Sequence, residues 1–85
     1  MGFYLGERYV PQADPRLAME QAERLRVAVQ SVADTGLRLV STTFVANEEW
    51  AFDLFEADSA DEVERAYAQG QVEFERVTEA VHLSG

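Results

Sequence analysis

The chain has no cysteine, one histidine, two prolines and five glycines in 85 residues. Without cysteine there is no disulfide, zinc ribbon, iron–sulfur cluster or thiol nucleophile to consider. Basic residues are scarce as well: seven Lys+Arg stand against 16 Asp+Glu, for a formal net charge of −9. A surface this acidic repels a phosphate backbone, and no basic stripe offsets it, so nucleic acid is excluded as an expected partner. Long apolar runs are also missing. None approaches the roughly 18–20 residues that a membrane-spanning helix needs. The start, Met1 to Arg8, has neither the basic opening nor the apolar stretch of a secretion signal. Gly6 stands where N-myristoylation would want Ser or Thr. The expectation is therefore a cytoplasmic protein with no membrane partner. Gly2 and Gly6 are too few for a phosphate-cradling loop, and Ser41 and Ser59 have no nearby base.

What is present is the balance of a globular domain, 47% hydrophobic and 27% charged, and the length allows a single domain over residues 1–85. A chain this short buries only about 60–65% of its unfolded surface, so self-association is a natural stabiliser.

Turn signals divide the chain into six elements. Phe3 to Val10 reads as a strand closed by Pro11. Asp14-Pro15 opens a helix, with Asp14 as N-cap and proline at the first helical position. The stripe Ala18, Ala22, Leu25, Val29, Val32 steps by four and three along one helical face, and Gly36 is the expected stop. Leu37 to Ala46 and Glu49 to Ala57 form an antiparallel hairpin across Asn47-Glu48. Its expected register pairs Val45 with Trp50, Thr43 with Phe52 and Ser41 with Leu54. Ser59 and Glu62 form a capping box for a second helix ending near Gly70. Arg76 to Leu83 is the last strand.

The order β-α-β-β-α-β predicts an α+β ferredoxin-like plait: a four-stranded antiparallel sheet in the order 4-1-3-2 with both helices on one face. The helix-free face is expected to hold Tyr4, Val40, Phe44 and Phe55, too many apolar groups for water. A homodimer joined face to face through the sheet, of the dimeric α+β barrel type, follows as an expectation.

Four places could carry chemistry. Glu7 and Glu79 each sit among apolar strand residues. The register opposing Phe3 to Leu83 sets the two carboxylates side by side, where like charges need a cation, a shared proton or a ligand. A second reading has them reach solvent or pair with Arg8 or Arg76. Asp53 is expected between Ala51 and Phe55 on the dimer face, bonded to Thr42 or Thr43 or lining a ligand cavity. His82, opposite Tyr4, is the candidate metal ligand or acid/base group. Oxygen-rich donors from one chain suit Mg, Ca or Mn; two chains sharing a site would supply two histidines.

Tyr4-Leu5-Gly6-Glu7-Arg8 with Pro11, Phe52-Asp53-Leu54-Phe55-Glu56-Ala57, Glu62-Val63-Glu64-Arg65-Ala66 and Glu75-Arg76-Val77-Thr78-Glu79-Ala80-Val81 together resemble a small bacterial domain-of-unknown-function family whose described member is a nickel-binding protein. The resemblance implies a dimeric ferredoxin-like plait, a divalent metal such as nickel, and Glu7, Glu56 and Glu79 as the matching acids. Family members often carry His near Ala66-Tyr67 and Cys at the position of Asp53; this chain carries neither. The leading expectation is a noncatalytic dimer that binds a small ligand or metal ion, with Glu7, Glu79, Asp53 and Tyr4 as ligand contacts and His82 with Glu79 as metal ligands. The alternative is a cofactor-independent isomerase, cyclase or monooxygenase, with Glu79 or His82 as base and Tyr4 or Tyr9 as orienting donor.

Overall fold

The computed structural model describes residues 1–32, 36–81 and 83. Its elements run β1 (Gly2–Tyr9), a single 3-10 turn (Pro11–Ala13), α1 (Pro15–Ser31), β2 (Arg38–Val45), β3 (Trp50–Ala57), α2 (Ala60–Gly70) and β4 (Arg76–Ala80). All strand pairs are antiparallel in the order β2-β3-β1-β4. Read from the other edge this is 4-1-3-2, the ferredoxin-like plait.

Local chemistry sets the helix ends. The Asp14 carboxylate accepts from the Arg16 N–H at 2.9 Å, and Pro15 occupies the first helical position, where no N–H is needed. At α2 neither half of the expected capping box forms, and Glu62 instead reaches one residue past the N-cap. Ser59 makes no side-chain cap bond, while Glu62 Oε1 accepts from the Asp58 N–H at 3.0 Å. The C-terminus of α2 turns through Gln71, whose φ of 56° is left-handed. Arg24 of α1 closes that end, donating to the Gly70 and Gln71 carbonyls at 3.2 Å each. A cation there suits the negative end of the helix dipole. The first helix ends at Ser31, not at Gly36; Gly36 has the left-handed φ of +83° but lies beyond residues 33–35, which are outside the described residues.

Both helices cover one face of the sheet. Leu25 and Val29 of α1 and Val63, Ala66 and Tyr67 of α2 pack with Leu37, Phe55, Ala57 and Val72, and Tyr4, Leu39 and Val77 flank them. A smaller cluster joins Val10, Ala18 and Ala51 with Leu17 and Phe44. Along β3 burial alternates strictly: Ala51, Asp53, Phe55 and Ala57 are buried, and Trp50, Phe52, Leu54 and Glu56 are half-buried.

This alternation reverses the expected faces. Tyr4, Phe44 and Phe55 meet the helices, and the open face holds Phe3, Leu5, Glu7 and Tyr9 with Trp50, Phe52 and Leu54. The hairpin register agrees with expectation from Val45↔Trp50 to Ser41↔Leu54. A bulge between Leu39 and Ser41 then sets Leu39, not Val40, opposite Phe55. The last strand stops at Ala80, short of the expected Leu83.

Candidate functional site

The closed face hides a polar cluster. Arg8 of β1 and Asp53 of β3 are both fully buried and lie one row apart on the sheet. Arg8 Nε donates to Asp53 Oδ2 at 2.8 Å, and a guanidinium NH2 group reaches Oδ1 at 3.2 Å, a two-pronged ion pair. Its other NH2 group donates to the Gln21 side-chain carbonyl at 2.7 Å. Asp53 also accepts from the Tyr67 hydroxyl at 2.7 Å and from the Thr42 hydroxyl at 2.8 Å. Four elements, β1, β2, β3 and α2, thus meet on one carboxylate, and α1 completes the set through Gln21.

Sequence placed this cluster imperfectly. Asp53 was expected on the open face; it faces the helices, and of its two expected threonine partners it takes Thr42. Four accepted bonds saturate its carboxylate, and the residue is fully buried. Arg8 and Tyr67 were not foreseen as members. One signal was available: Gly6, opposite Asp53 on β1, leaves room for Tyr67. A methyl group added there would lie 2.8 Å from a Tyr67 ring carbon and overlap the hydroxyl. Tyr67 stacks on Phe74 at 4.8 Å and meets Phe55 edge-on at 5.5 Å. Burial first, and the neighbouring Asp53 charge second, push its phenol far above the ordinary value.

The expected Glu7–Glu79 pair does not form. The β1–β4 register sets Glu7 opposite Arg76 and Tyr4 opposite Glu79, a slip of three residues from the expected one. An odd slip sets Glu79 on the opposite face of the sheet from Glu7. Core packing explains the choice, because this register turns Val77 toward the helices, opposite Gly6. Glu7 is ion-paired with Arg76. Glu79 is exposed. Tyr4 packs against the core and is no ligand contact on the open face. His82 lies outside the described residues. Glu56, the third matching acid, is on the open face and pairs with Arg38 at 3.0 Å. Among the described residues, no three His, Cys, Asp or Glu side chains converge to hold a metal ion.

The open face is the other candidate. Its centre sets one acid among apolar residues: Leu5 pairs with Leu54, and Glu7 with Phe52. Thr43 and Ser41 of β2 and Thr78 of β4 extend those rows. Ion pairs flank the centre, Glu7–Arg76 on one side and Glu56–Arg38 on the other. At the hairpin end Tyr9 and Trp50 meet edge to face at 6.0 Å. The Tyr9 hydroxyl donates to Glu49, and that bond raises the phenol's pKa.

Comparison with known proteins finds no matching family model and no matching curated protein. The fold is similar to the crystal structure of SCO4226 from Streptomyces coelicolor A3(2), with a TM-score of 0.75 over 98% of this chain and 99% of that one. The two sequences are 18% identical, a likeness that shows the shared fold. No helix among the described residues is long and apolar enough to cross a membrane.

Proposed function

We propose that the protein is a noncatalytic binding module that works as a homodimer, two copies meeting through their open sheet faces and enclosing a small ligand between them. The observation that carries this is the open face itself. Leu5, Trp50, Phe52 and Leu54 stand together there half-buried, with no helix of the described residues over them. A contiguous apolar surface of this kind marks an interaction site. The charged pairs at its margins give the polar rim of an ordinary interface.

Glu7 is the acid best placed to face such a ligand. It keeps 18% side-chain exposure amid the apolar rows and is ion-paired with the more exposed Arg76. A nickel or other divalent ion, as the family resemblance implies, would need donors from both copies, because one chain assembles no triad among its described residues. Glu7 and Glu56 are the open-face acids that a second copy could meet.

Two measurements test the reading. Light scattering at high micromolar concentration is expected to give twice the chain mass; a strict monomer overturns the dimer. A melting series with Ni²⁺ and other divalent ions tests the metal version. Binding to the native state raises the transition temperature by mass action, and Glu7→Gln is expected to remove that rise. An unchanged transition in every ion limits the module to organic ligands.

A further inference from the structure

At the hairpin end of the open face, aromatic rings and carboxylates are arranged for a particular kind of guest. Tyr9 and Trp50 occupy one row of the sheet, paired across β1 and β3. Their rings lie 6.0 Å apart at 71°, two walls of a corner. Phe52, two residues along β3, shares the same face. Tyr9 is 46% exposed, so the corner opens to solvent in the single chain. Next to Trp50 in the hairpin turn, Glu49 has a left-handed backbone with φ of 61°. It is held in place: the Glu49 carbonyl accepts from the Val10 N–H at 2.7 Å, and the Glu49 carboxylate accepts from the Tyr9 hydroxyl.

The chemistry of this corner selects a cation. Aromatic faces attract cations through the ring quadrupole, Trp most strongly. A phenol that donates to a carboxylate is polarised toward phenolate, which enriches its ring. The hairpin adds Glu48 beside Glu49, and Arg76, the basic residue two rows from Tyr9 along β1, is tied to Glu7. The Tyr9–Trp50–Val45 row contains no basic residue. The net charge of −9 draws cations to the molecule as a whole.

We infer that the Tyr9–Trp50 corner, backed by Glu49, is a binding site for a small organic ammonium ion. This rests on the open face being a ligand surface and names the ligand class. A methylated ammonium fits better than a bare metal ion. Its charge is spread over apolar methyl groups that can lie against the rings without losing a tight hydration shell.

Trp50 is the sole tryptophan, so its fluorescence reports the site directly. Choline and tetramethylammonium are titrated into the wild-type protein, alongside dimethylbutanol, the neutral carbon isostere of choline. The expected result is a saturable change in Trp50 emission with choline and tetramethylammonium. The neutral isostere is expected to bind about tenfold more weakly, a gap within the range of a cation–aromatic contact. Tyr9→Leu is expected to weaken choline by about tenfold, and Tyr9→Phe by less, because the ring stays. Equal affinity for choline and its isostere overturns the inference, and so does the absence of a saturable change at tens of millimolar. Circular dichroism of each variant separates a lost site from a lost fold. Light scattering of the same samples keeps the two proposals apart. A monomer that binds choline supports the site and overturns the dimer; a dimer that ignores choline overturns the site alone.

Discussion

The two faces of the sheet solve opposite problems with similar materials. Each carries aromatic residues, small residues and one carboxylate near its centre. On the helix face the carboxylate, Asp53, is fully buried and accepts bonds from Arg8, Tyr67 and Thr42. On the open face Glu7 keeps contact with water and pairs with a largely exposed partner, Arg76. The first arrangement specifies a fold, because five elements must be in place for its bonds to form. The second leaves a surface free to bind. The difference teaches that a buried acid in this protein marks structure, while a half-exposed acid among apolar neighbours marks the side to search for function.

The comparison breaks first at Asp53. Asp53→Ala strands the Arg8 guanidinium in a dry interior, a loss expected to cost about 3–5 kcal/mol. For a chain of this length, with a total stability on the order of 4–13 kcal/mol, that approaches unfolding. Urea denaturation reads the effect. The double replacement Arg8→Met with Asp53→Leu is expected to recover most of it, since removing both charges removes the stranded one. If the double variant is as weak as the single, the cluster does more than balance its own charges.

Gly6 is the next lever. Gly6→Ala drives a methyl group into Tyr67 and is expected to cost about 1–3 kcal/mol through overpacking. Tyr67 also sets an alkaline limit. Its folded-state pKa is raised, so the native state holds a proton that the unfolded state releases above about pH 10. Its contribution is complete below that pH and is lost as pH rises beyond it. In an absorbance titration, Tyr67 is expected to ionise only as the chain unfolds, and Tyr67→Phe should flatten the alkaline decline in stability.

How much of this the sequence disclosed differs between the two faces. Element order, strand order and the hairpin register followed from turn residues and from the β-branched run of β2, because those signals are local. The choice of faces was not local. On β1 the odd residues Phe3, Leu5, Glu7 and Tyr9 look more like a core than Tyr4, Gly6 and Arg8 do. The helices nevertheless cover the even set, since Gly6 makes room for Tyr67 and Arg8 finds Asp53 on the neighbouring strand. No period-two pattern announces a buried arginine. The β1–β4 register failed for a related reason: apolar matches favoured Phe3 opposite Leu83, while packing required Val77 to face the helices. The Asp53–Thr42 bond was visible as one of two threonine choices, because the hairpin register was right. The Tyr9–Glu49 contact depends on a left-handed residue that no glycine marks.

On the open face the effects are expected to be on assembly and not on folding. Leu54→Lys leaves the helix-covered core intact. It is expected to abolish the dimer in light scattering while changing the stability of the single chain by under about 1 kcal/mol. A dimer that survives it would move the interface elsewhere.

The smallest expected effect lies in the Glu7–Arg76 pair. The Arg76 side chain is 70% exposed and Glu7 18%, so solvent screens the pair and holding it costs side-chain entropy. Arg76→Gln is therefore expected to change stability by under about 1 kcal/mol, less still at high salt. Ligand or ion binding is the sharper readout. Removing the guanidinium unmasks Glu7, so any cation that uses this acid should bind more tightly to the variant. A cation bound only at the Tyr9 corner should respond weakly, through the change in net charge alone. Titrating both proteins with the same divalent ions and with choline thus divides the open face into two halves, one governed by Glu7 and one by Glu49. A tighter divalent ion with unchanged choline would mean that the face holds two distinct kinds of site.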